Sequence, residues 1–144
     1  MAYRATGSKL YLPYLLMLLA EGYRRTGRIE TALSTLTEAL SLAEQSGERW
    51  SVAELYRQQG ELFLSPLQRY AEQAESRYLQ AISMARQQGA KTIELRATVS
   101  LARLWRQQDK TVLIRDALAP LYAWFTEGHA TADLQEAKMV LDGM

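Results

Sequence analysis

The sequence has no cysteine among its 144 residues. Disulfide bonds, thiolate zinc sites and cysteine nucleophiles are therefore excluded, and the composition is typical of a protein from the reducing cytoplasm, which is the localisation we expect. An excess of one charge is also lacking, because the formal net charge is only +1. A chain so nearly neutral has no strong electrostatic attraction to nucleic acid or to an anionic membrane.

Long apolar runs, proline and glycine are scarce as well. The longest apolar run covers residues 10–20 and is interrupted by Pro13, whereas a membrane-spanning helix needs about 20 apolar residues. No secretory signal is apparent, so we expect no association with membranes. The chain has three prolines and eight glycines, and we expect each of them to lie where a helix begins or ends.

What the sequence does contain is an internal repeat with a period of 42 residues. Residues 30–47 and 72–89 are identical at eight of 18 aligned positions, whereas unrelated segments of this length would share about one. Within the first copy, Ala32, Leu36 and Ala39 are spaced as i, i+4 and i+7, which places them on one side of a helix. Each copy ends in a glycine, as a helix with a left-handed C-terminal cap commonly does.

Each repeated helix is preceded by another apolar helix, and such neighbours pack antiparallel when few residues separate them. The sequence therefore predicts an all-α fold with one domain over residues 1–144. Its parts are hairpins at about 12–47, 48–89 and 92–127, followed by a capping helix at about 131–142. A single hairpin cannot bury its own apolar face, whereas a stack of three hairpins can.

Residue size also recurs on the first helix of each hairpin. Small residues at three equivalent positions allow the two helices of a hairpin to approach closely: Ala20, Gly60 and Ala102. Aromatic residues three positions later fill the space between neighbouring hairpins: Tyr23, Phe63 and Trp105. Ala32 and Ala74 on the second helices serve the same close packing, so both must be buried if the prediction is right.

This order of large, small and aromatic residues resembles the tetratricopeptide repeat. The resemblance implies an α-solenoid of three helical hairpins, whose first helices line a concave groove. The second hairpin departs from the pattern, since it has two extra residues between Leu64 and Tyr70 and has Gln59 where a large apolar residue is usual. In the third hairpin, Asp109 and Ile114 replace a turn glycine and a small residue.

Longer stretches resemble a narrower group of proteins. They are Ser-Leu-Ala-Arg-Leu-Trp at 100–105 and Leu-Ala-Pro-Leu-Tyr-Ala-Trp-Phe-Thr-Glu-Gly at 118–128. They are similar to the C-terminal helical-repeat tail of large bacterial signalling proteins, which join a nucleotide cyclase or a DNA-binding domain to a regulatory ATPase. The chain has no glycine-rich phosphate loop ending in Gly-Lys-Ser/Thr, so no enzymatic activity carries over with the resemblance.

Candidate catalytic groups are few and scattered. His129 is the single histidine, and with no carboxylate cluster beside it in the sequence it is interpreted as a loop residue. Two pairs of carboxylates share a helix face and are interpreted as exposed helix charges: Glu72 with Glu75, and Glu54 with Glu61. We therefore predict no catalytic, metal or cofactor site and no enzymatic function.

Aromatic and basic residues also have structural interpretations. Four aromatic residues are assigned to core packing rather than to a ligand pocket: Trp105, Tyr122, Trp124 and Phe125. Arginine outnumbers lysine by 13 to 4, but the arginines are spread over every helix with acids between them. We therefore expect no nucleic-acid partner.

The tetratricopeptide resemblance implies a binding surface on the first helices. Its predicted residues are Tyr14, Met17, Glu21, Arg24, Arg25, Glu54, Arg57, Glu61, Leu64, Arg96, Val99, Arg103, Arg106 and Gln107. Arginine can hold a carboxylate through two parallel hydrogen bonds, so we expect a peptide or helix with acidic groups as the partner. The alternative is that Arg24, Arg57 and Arg103 pair with nearby glutamates of the chain itself.

Three functions remain open from the sequence. The leading prediction is a protein-binding scaffold. The second is a regulatory tail that senses a ligand or partner and controls an ATPase, cyclase or transcription domain, and the third is a small enzyme. We also expect a homo-oligomer formed through the N-terminal helix or the repeat ends, because Leu12, Leu15 and Leu18 would lack a covering helix.

Overall fold

The computed structural model describes residues 12–47, 49–65, 69–125 and 131–143 of the chain. Within these residues the structure is helical and contains no β-strand, which confirms the predicted all-α class. In chain order the helices are α1 (Leu12–Arg25), α2 (Ile29–Ser46), α3 (Val52–Phe63), α4 (Ala71–Gln88), α5 (Lys91–Gln107), α6 (Thr111–Trp124) and α7 (Ala132–Asp142). The predicted hairpin boundaries at residues 48 and 127, together with Pro66 and His129, lie outside the described residues.

The turns inside the three hairpins share one feature and differ in length. In each turn, a backbone N–H after the first helix donates a hydrogen bond to a carbonyl oxygen near the end of that helix. The three bonds run from Arg28 to Tyr23 at 2.9 Å, from Tyr70 to Phe63 at 2.7 Å, and from Lys110 to Trp105 at 3.0 Å. The bond spans five residues in the first and third hairpins and seven in the second. The sequence prediction of two extra residues in the second hairpin is therefore confirmed.

Glycines provide the left-handed backbone after three of the helices. Gly47 and Gly89 follow α2 and α4 with φ of 75° and 67°, as the repeat predicts. Gly27, after α1, has φ of 81°. The equivalent turn of the third hairpin has Asp109 at φ 59°, a conformation that aspartate tolerates better than most residues with a side chain.

The expectation that every glycine and proline marks a helix end is wrong at three positions. Gly22 lies inside α1, Gly60 inside α3 and Pro120 inside α6. A Cβ atom on Gly60 would lie 2.6 Å from Cε1 of Tyr78, so only glycine lets α3 and α4 approach this closely. Pro120 is exposed, and solvent can therefore satisfy the carbonyl group that loses its helical hydrogen bond.

Each helix packs against the next one in the chain. In addition, α3 contacts α5, and α5 contacts α7. Ala32 and Ala74 are completely buried, as the close-packing prediction requires. The buried side chains form two clusters. One joins α1 and α2 to Leu55 and Leu62 of α3, and the other joins residues of α4, α5, α6 and α7. Since other side chains of α3 pack against the second cluster, this helix lies between the two.

The exposure of the N-terminal leucines corrects one prediction. Contrary to the expectation, Leu12 is buried, because it belongs to the first cluster together with Leu36 and other side chains of α2. Leu15 and Leu18 are exposed, as expected. The apolar residues of α1 are therefore divided between one face that packs on α2 and another that no described helix covers.

The aromatic residues of the third hairpin also divide. Trp105 is buried, and Tyr122 and Phe125 pack partly buried against the second cluster, in agreement with the core assignment. Trp124 is wrongly assigned, since it is largely exposed as the last residue of α6. The Nζ atom of Lys91 lies 5.4 Å from the centre of its ring, which places a cation over this exposed indole.

Candidate functional site

A cleft opens between α1 and α3, with a volume of about 700 Å³. Its walls come from α1, α2, α3 and α5 and from the turn that follows α1. The residues that line this α1–α3 cleft are Met17, Leu18, Ala20, Glu21, Arg24, Gly27, Ile29, Leu36, Arg57, Gln58, Glu61, Leu62, Ser65 and Arg103. The lining combines apolar side chains with both signs of charge.

The cleft brings together six residues of the predicted binding surface: Met17, Glu21, Arg24, Arg57, Glu61 and Arg103. The remaining predicted residues do not line it: Tyr14, Arg25, Glu54, Leu64, Arg96, Val99, Arg106 and Gln107. The assignment of Val99 to the binding surface is wrong, because its side chain is buried and cannot contact a partner. The reason is that α5 is covered by α3, α4, α6 and α7, whereas the helical period alone does not reveal how many neighbours a helix has.

Two further points concern apolar residues of the cleft. Met17 is buried as well, so it contributes to the cleft wall rather than to an exposed rim. Leu18 was missed as a cleft residue, although it lies four positions after Tyr14 and three before Glu21, both on the predicted surface. The helical period therefore contained the signal for Leu18. Leu62 carries no such signal, since its spacing is that of an ordinary core residue.

The carboxylate of Glu21 lies at the α1 edge of the cleft and accepts hydrogen bonds from both arginines of the last turn. The Nε atom of Arg24 donates to its Oε2 at 2.8 Å, and Nε of Arg25 donates to its Oε1 at 3.2 Å. The hydrogen bond from Arg24, opposed by partial burial and aided by Arg25, lowers the pKa of Glu21 to about 2. Such an acidic carboxyl group is a weak base near neutral pH.

Arg57 lies at the α3 edge of the cleft, between two glutamates of its own helix. Its Nε donates to Oε1 of Glu54 at 2.6 Å, and its Nη1 donates to Oε1 of Glu61 at 3.4 Å. Burial disfavours the charge, but the hydrogen bond to Glu54 and the charges of both glutamates outweigh it and raise the pKa of Arg57. This guanidinium is committed to pairs inside the chain.

Glu61 links the cleft to the interior of the fold. Besides Arg57, it accepts a hydrogen bond from Oγ of Ser100 on α5 at 2.9 Å. Tyr78 of α4 is buried nearby, and its burial together with the negative charge of Glu61 raises the pKa of Tyr78 far above its ordinary value. The phenol of Tyr78 therefore stays protonated, and Glu61 contributes a hydrogen-bonded carboxylate to the lining of the cleft.

Cross-helix ion pairs join α3, α5 and α7. Arg96 of α5 donates through Nη1 to Glu54 of α3 at 3.2 Å and through Nη2 to Asp133 of α7 at 3.1 Å. Burial opposes the charge of Arg96, but Asp133 and Glu54 outweigh it and raise the pKa of Arg96. Arg103 of α5 likewise lies 3.0 Å from Glu136 of α7. These pairs connect α5 to α3 and to α7.

The arginines at the cleft differ in how much of each guanidinium remains free. Arg24 and Arg57 pair with glutamates of their own helices, which is the alternative that the sequence left open for them. Arg57 is nearly buried, whereas the side chains of Arg24 and Arg103 are each 46% exposed. Only these two can offer further N–H groups to a molecule entering the cleft.

The predicted carboxylate pair of Glu72 and Glu75 includes one residue with a structural use. Glu75 accepts a hydrogen bond from Nε1 of Trp105 at 3.0 Å, which satisfies the donor of a buried indole, and Glu72 is exposed. Among the residues that the structure describes, no three histidine, cysteine or acidic side chains gather as a metal site. The described helices also include none that is both long enough and apolar enough to cross a membrane.

Comparison with known proteins gives no family for the chain: no family model matches it, and no curated protein matches it. The class that the described residues define is an all-helical fold in which each helix packs against the next one in the chain.

Proposed function

We propose that this chain is a non-catalytic, tetratricopeptide-like scaffold of the cytoplasm, which binds a peptide or a helix of another protein in the α1–α3 cleft. The stacking of hairpins is supported by the recurring turn hydrogen bond, by the buried alanines Ala32 and Ala74, and by the packing of alternate helices α3, α5 and α7. The chain has no cysteine and therefore no disulfide bond, which agrees with a reducing compartment.

The observation that carries the proposal is the composition of the cleft. Leu18 is 51% exposed at its mouth, and the buried side chains of Met17 and Leu62 continue the apolar wall inward. A volume of about 700 Å³ falls within the range of ligand pockets, roughly 300–1,000 Å³, and has room for a few side chains. An amphipathic segment that inserts apolar side chains would bury Leu18 and complete the wall.

Charge favours an acidic residue beside the apolar ones. Glu21 and Glu61 are already neutralised by Arg24 and Arg57, while Arg103 and Arg24 keep part of their guanidinium groups in solvent. A carboxylate of the partner would find donors there, whereas a lysine of the partner would face arginines. The partner chemistry that fits is therefore a short amphipathic segment with at least one acidic residue next to its apolar anchor.

The proposal is tested with a displayed library of random peptides selected on the wild-type chain. We expect enriched peptides that combine apolar and acidic residues, and we expect Leu18→Glu to weaken their binding at least tenfold, because it places a charge on the apolar wall. Arg103→Glu should weaken binding in proportion to the acidity of the peptide. The matched control is Val112→Glu, which changes an exposed residue of α6 far from the cleft.

Circular dichroism of each variant checks that it is folded, and all three sites are exposed or half-exposed, so loss of structure is not expected. Peptides that bind the Leu18→Glu and Arg103→Glu variants as tightly as the wild type would refute the cleft as the binding site. Failure to select any peptide in the presence of a folded protein would refute the peptide-binding function itself.

A further inference from the structure

We infer that the uncovered face of α1 binds the same face of a second copy of this chain, which forms a symmetric dimer. This open face consists of Leu15, Leu19 and Gly22. Leu15 is 41% exposed, Leu19 is 47% exposed, and Gly22 is exposed as well. Their spacing of i, i+4 and i+7 places them in one line along the helix.

The repeat itself shows what this face is shaped to contact. The positions equivalent to Leu15, Leu19 and Gly22 follow from aligning Ala20 with Gly60 and Ala102. In the second hairpin they are Leu55, Gln59 and Leu62, and in the third they are Ala97, Leu101 and Leu104. All six are buried, and Leu55 and Leu62 are buried specifically in the cluster of the preceding hairpin. The open face of α1 thus corresponds to the hairpin-to-hairpin interface of this fold, and no described helix packs on it.

The two ends of the described fold are not alike, and this selects the partner surface. The exposed side of α7 carries Gln135, Lys138 and Asp142, with Met139 as an apolar exception. Charged residues there oppose the burial of that side against the leucines of another copy. The open face of α1, by contrast, lies on a helix whose residues 12–20 include no charge. Pairing of like faces around a two-fold axis is therefore favoured over head-to-tail stacking, and it closes as a dimer.

An antiparallel arrangement fits the charges and the shape of the face. It would place the Arg24 and Arg25 end of each α1 beside the uncharged start of the other, whereas a parallel pair would bring the arginines together. Gly22 has no atom within 4 Å of where a Cβ would stand, so the position is an open notch. With Leu19 near the axis, Leu15 of the second copy would lie over this notch. The contact is small, so the dimer should form in the micromolar range or above.

Sedimentation equilibrium of the full chain from one to several hundred micromolar tests the inference. We expect a monomer–dimer equilibrium whose dissociation constant rises at least tenfold in Leu19→Glu. Leu79→Glu is the matched control, since Leu79 on α4 is the same residue type with the same exposure of 47%. Gly22→Ala should weaken the dimer by filling the notch, although it favours the helix of the monomer.

A cross-link gives a second measurement that does not depend on charged substitutions. Because the chain has no cysteine, Leu19→Cys introduces a single thiol, and two such thiols near the two-fold axis should form an intermolecular disulfide when diamide is added as the oxidant. Leu79→Cys should not. A wild-type chain that stays monomeric at several hundred micromolar overturns the inference. So does a dimer that Leu19→Glu leaves intact, or association that continues to large oligomers.

Discussion

Helices α1 and α3 are the first helices of consecutive hairpins, yet equivalent positions on them have opposite environments. Leu55 and Leu62 of α3 are buried against the preceding hairpin, whereas Leu15 and Gly22 of α1 are exposed. Leucine occupies the first of these positions in both helices, so the residue does not cause the difference. A repeat sequence specifies which face of a helix is available for packing, and the neighbouring hairpin decides whether that face becomes core or surface.

The largest effect expected from this comparison is on stability. Leu55→Ala should lower the free energy of unfolding by about 2–5 kcal/mol, because it opens a cavity between two hairpins. Leu15→Ala removes the same atoms from an exposed face and should cost less than about 1 kcal/mol. Urea denaturation at a concentration below any self-association measures both. Equal losses for the two variants would show that the two faces are not in different environments.

Glycine gives the next contrast, again between equivalent helices. Gly60→Ala places a Cβ 2.6 Å from the buried ring of Tyr78, and this overpacking should cost about 1–3 kcal/mol. Gly22→Ala meets no atom and should stabilise the monomer by up to about 1 kcal/mol through helix propensity. Thermal unfolding should therefore shift in opposite directions for the two substitutions.

Tyr78 provides the control for this pair. In a Tyr78→Leu background the ring is gone, so Gly60→Ala should cost clearly less than it does in the wild type. An unchanged cost would show that the strain at Gly60 does not come from the ring. A destabilising Gly22→Ala would contradict the open notch on α1.

Much of this fold follows from local spacing in the sequence. The helices, the glycine caps at Gly47 and Gly89 and the two extra residues of the second hairpin were all predictable, because each depends on neighbours within a few positions. The burial of Ala32 and Ala74 followed from a repeat, which compares distant segments without knowing their contacts. Whether the hairpins stack as a tetratricopeptide solenoid stays a prediction.

The residues that sequence reasoning misplaced share one physical cause. Val99, Leu12 and Trp124 each have the spacing that their predicted role requires, but their burial depends on how many helices surround them. Val99 is buried because four other helices contact α5, and Trp124 is exposed because it is the last residue of α6. The ion partners of Arg96 were equally hidden, since they lie 37 and 42 positions away in the sequence. Spacing identifies a face, and only the packed structure identifies what touches it.

Ion pairs extend the comparison from apolar to charged residues, with a smaller effect. Arg96 bridges Glu54 and Asp133 on two other helices. Arg25, by contrast, is 74% exposed, and its ion partner among the described residues is Glu21 of its own helix. Arg96→Met should lower stability by about 1 kcal/mol, because two partly buried carboxylates lose a partner. Arg25→Met should change it by less than about 0.5 kcal/mol.

Chemical denaturation at low and high salt measures the difference. The loss caused by Arg96→Met should survive at high salt better than any loss caused by Arg25→Met, because the Arg96 pairs are more buried. An Asp133→Asn substitution made in both backgrounds isolates the Arg96–Asp133 pair. A coupling near zero would mean that this bridge does not help to hold α5 to α7.

The smallest expected effect concerns Glu21 on the exposed helix, whose equivalent on α3 is Glu61. The pKa of Glu21 lies at about 2 in the folded chain, below its ordinary value of 4.5, because Arg24 donates hydrogen bonds to it. A lowered folded pKa means that the pair stabilises the fold above about pH 4.5 and that this contribution disappears as the pH falls toward 2.

The carboxylate of Glu21 is about one-third exposed, so solvent screening limits the contribution to about 0.5–1 kcal/mol. Glu21→Gln should therefore destabilise the chain by that amount at pH 7 and by nothing near pH 2. Glu44→Gln, at an exposed position of α2, is the control for the change of residue type. A Glu21→Gln curve that runs parallel to the wild type from pH 7 to 2 would show that the ion pair on α1 contributes nothing to folding.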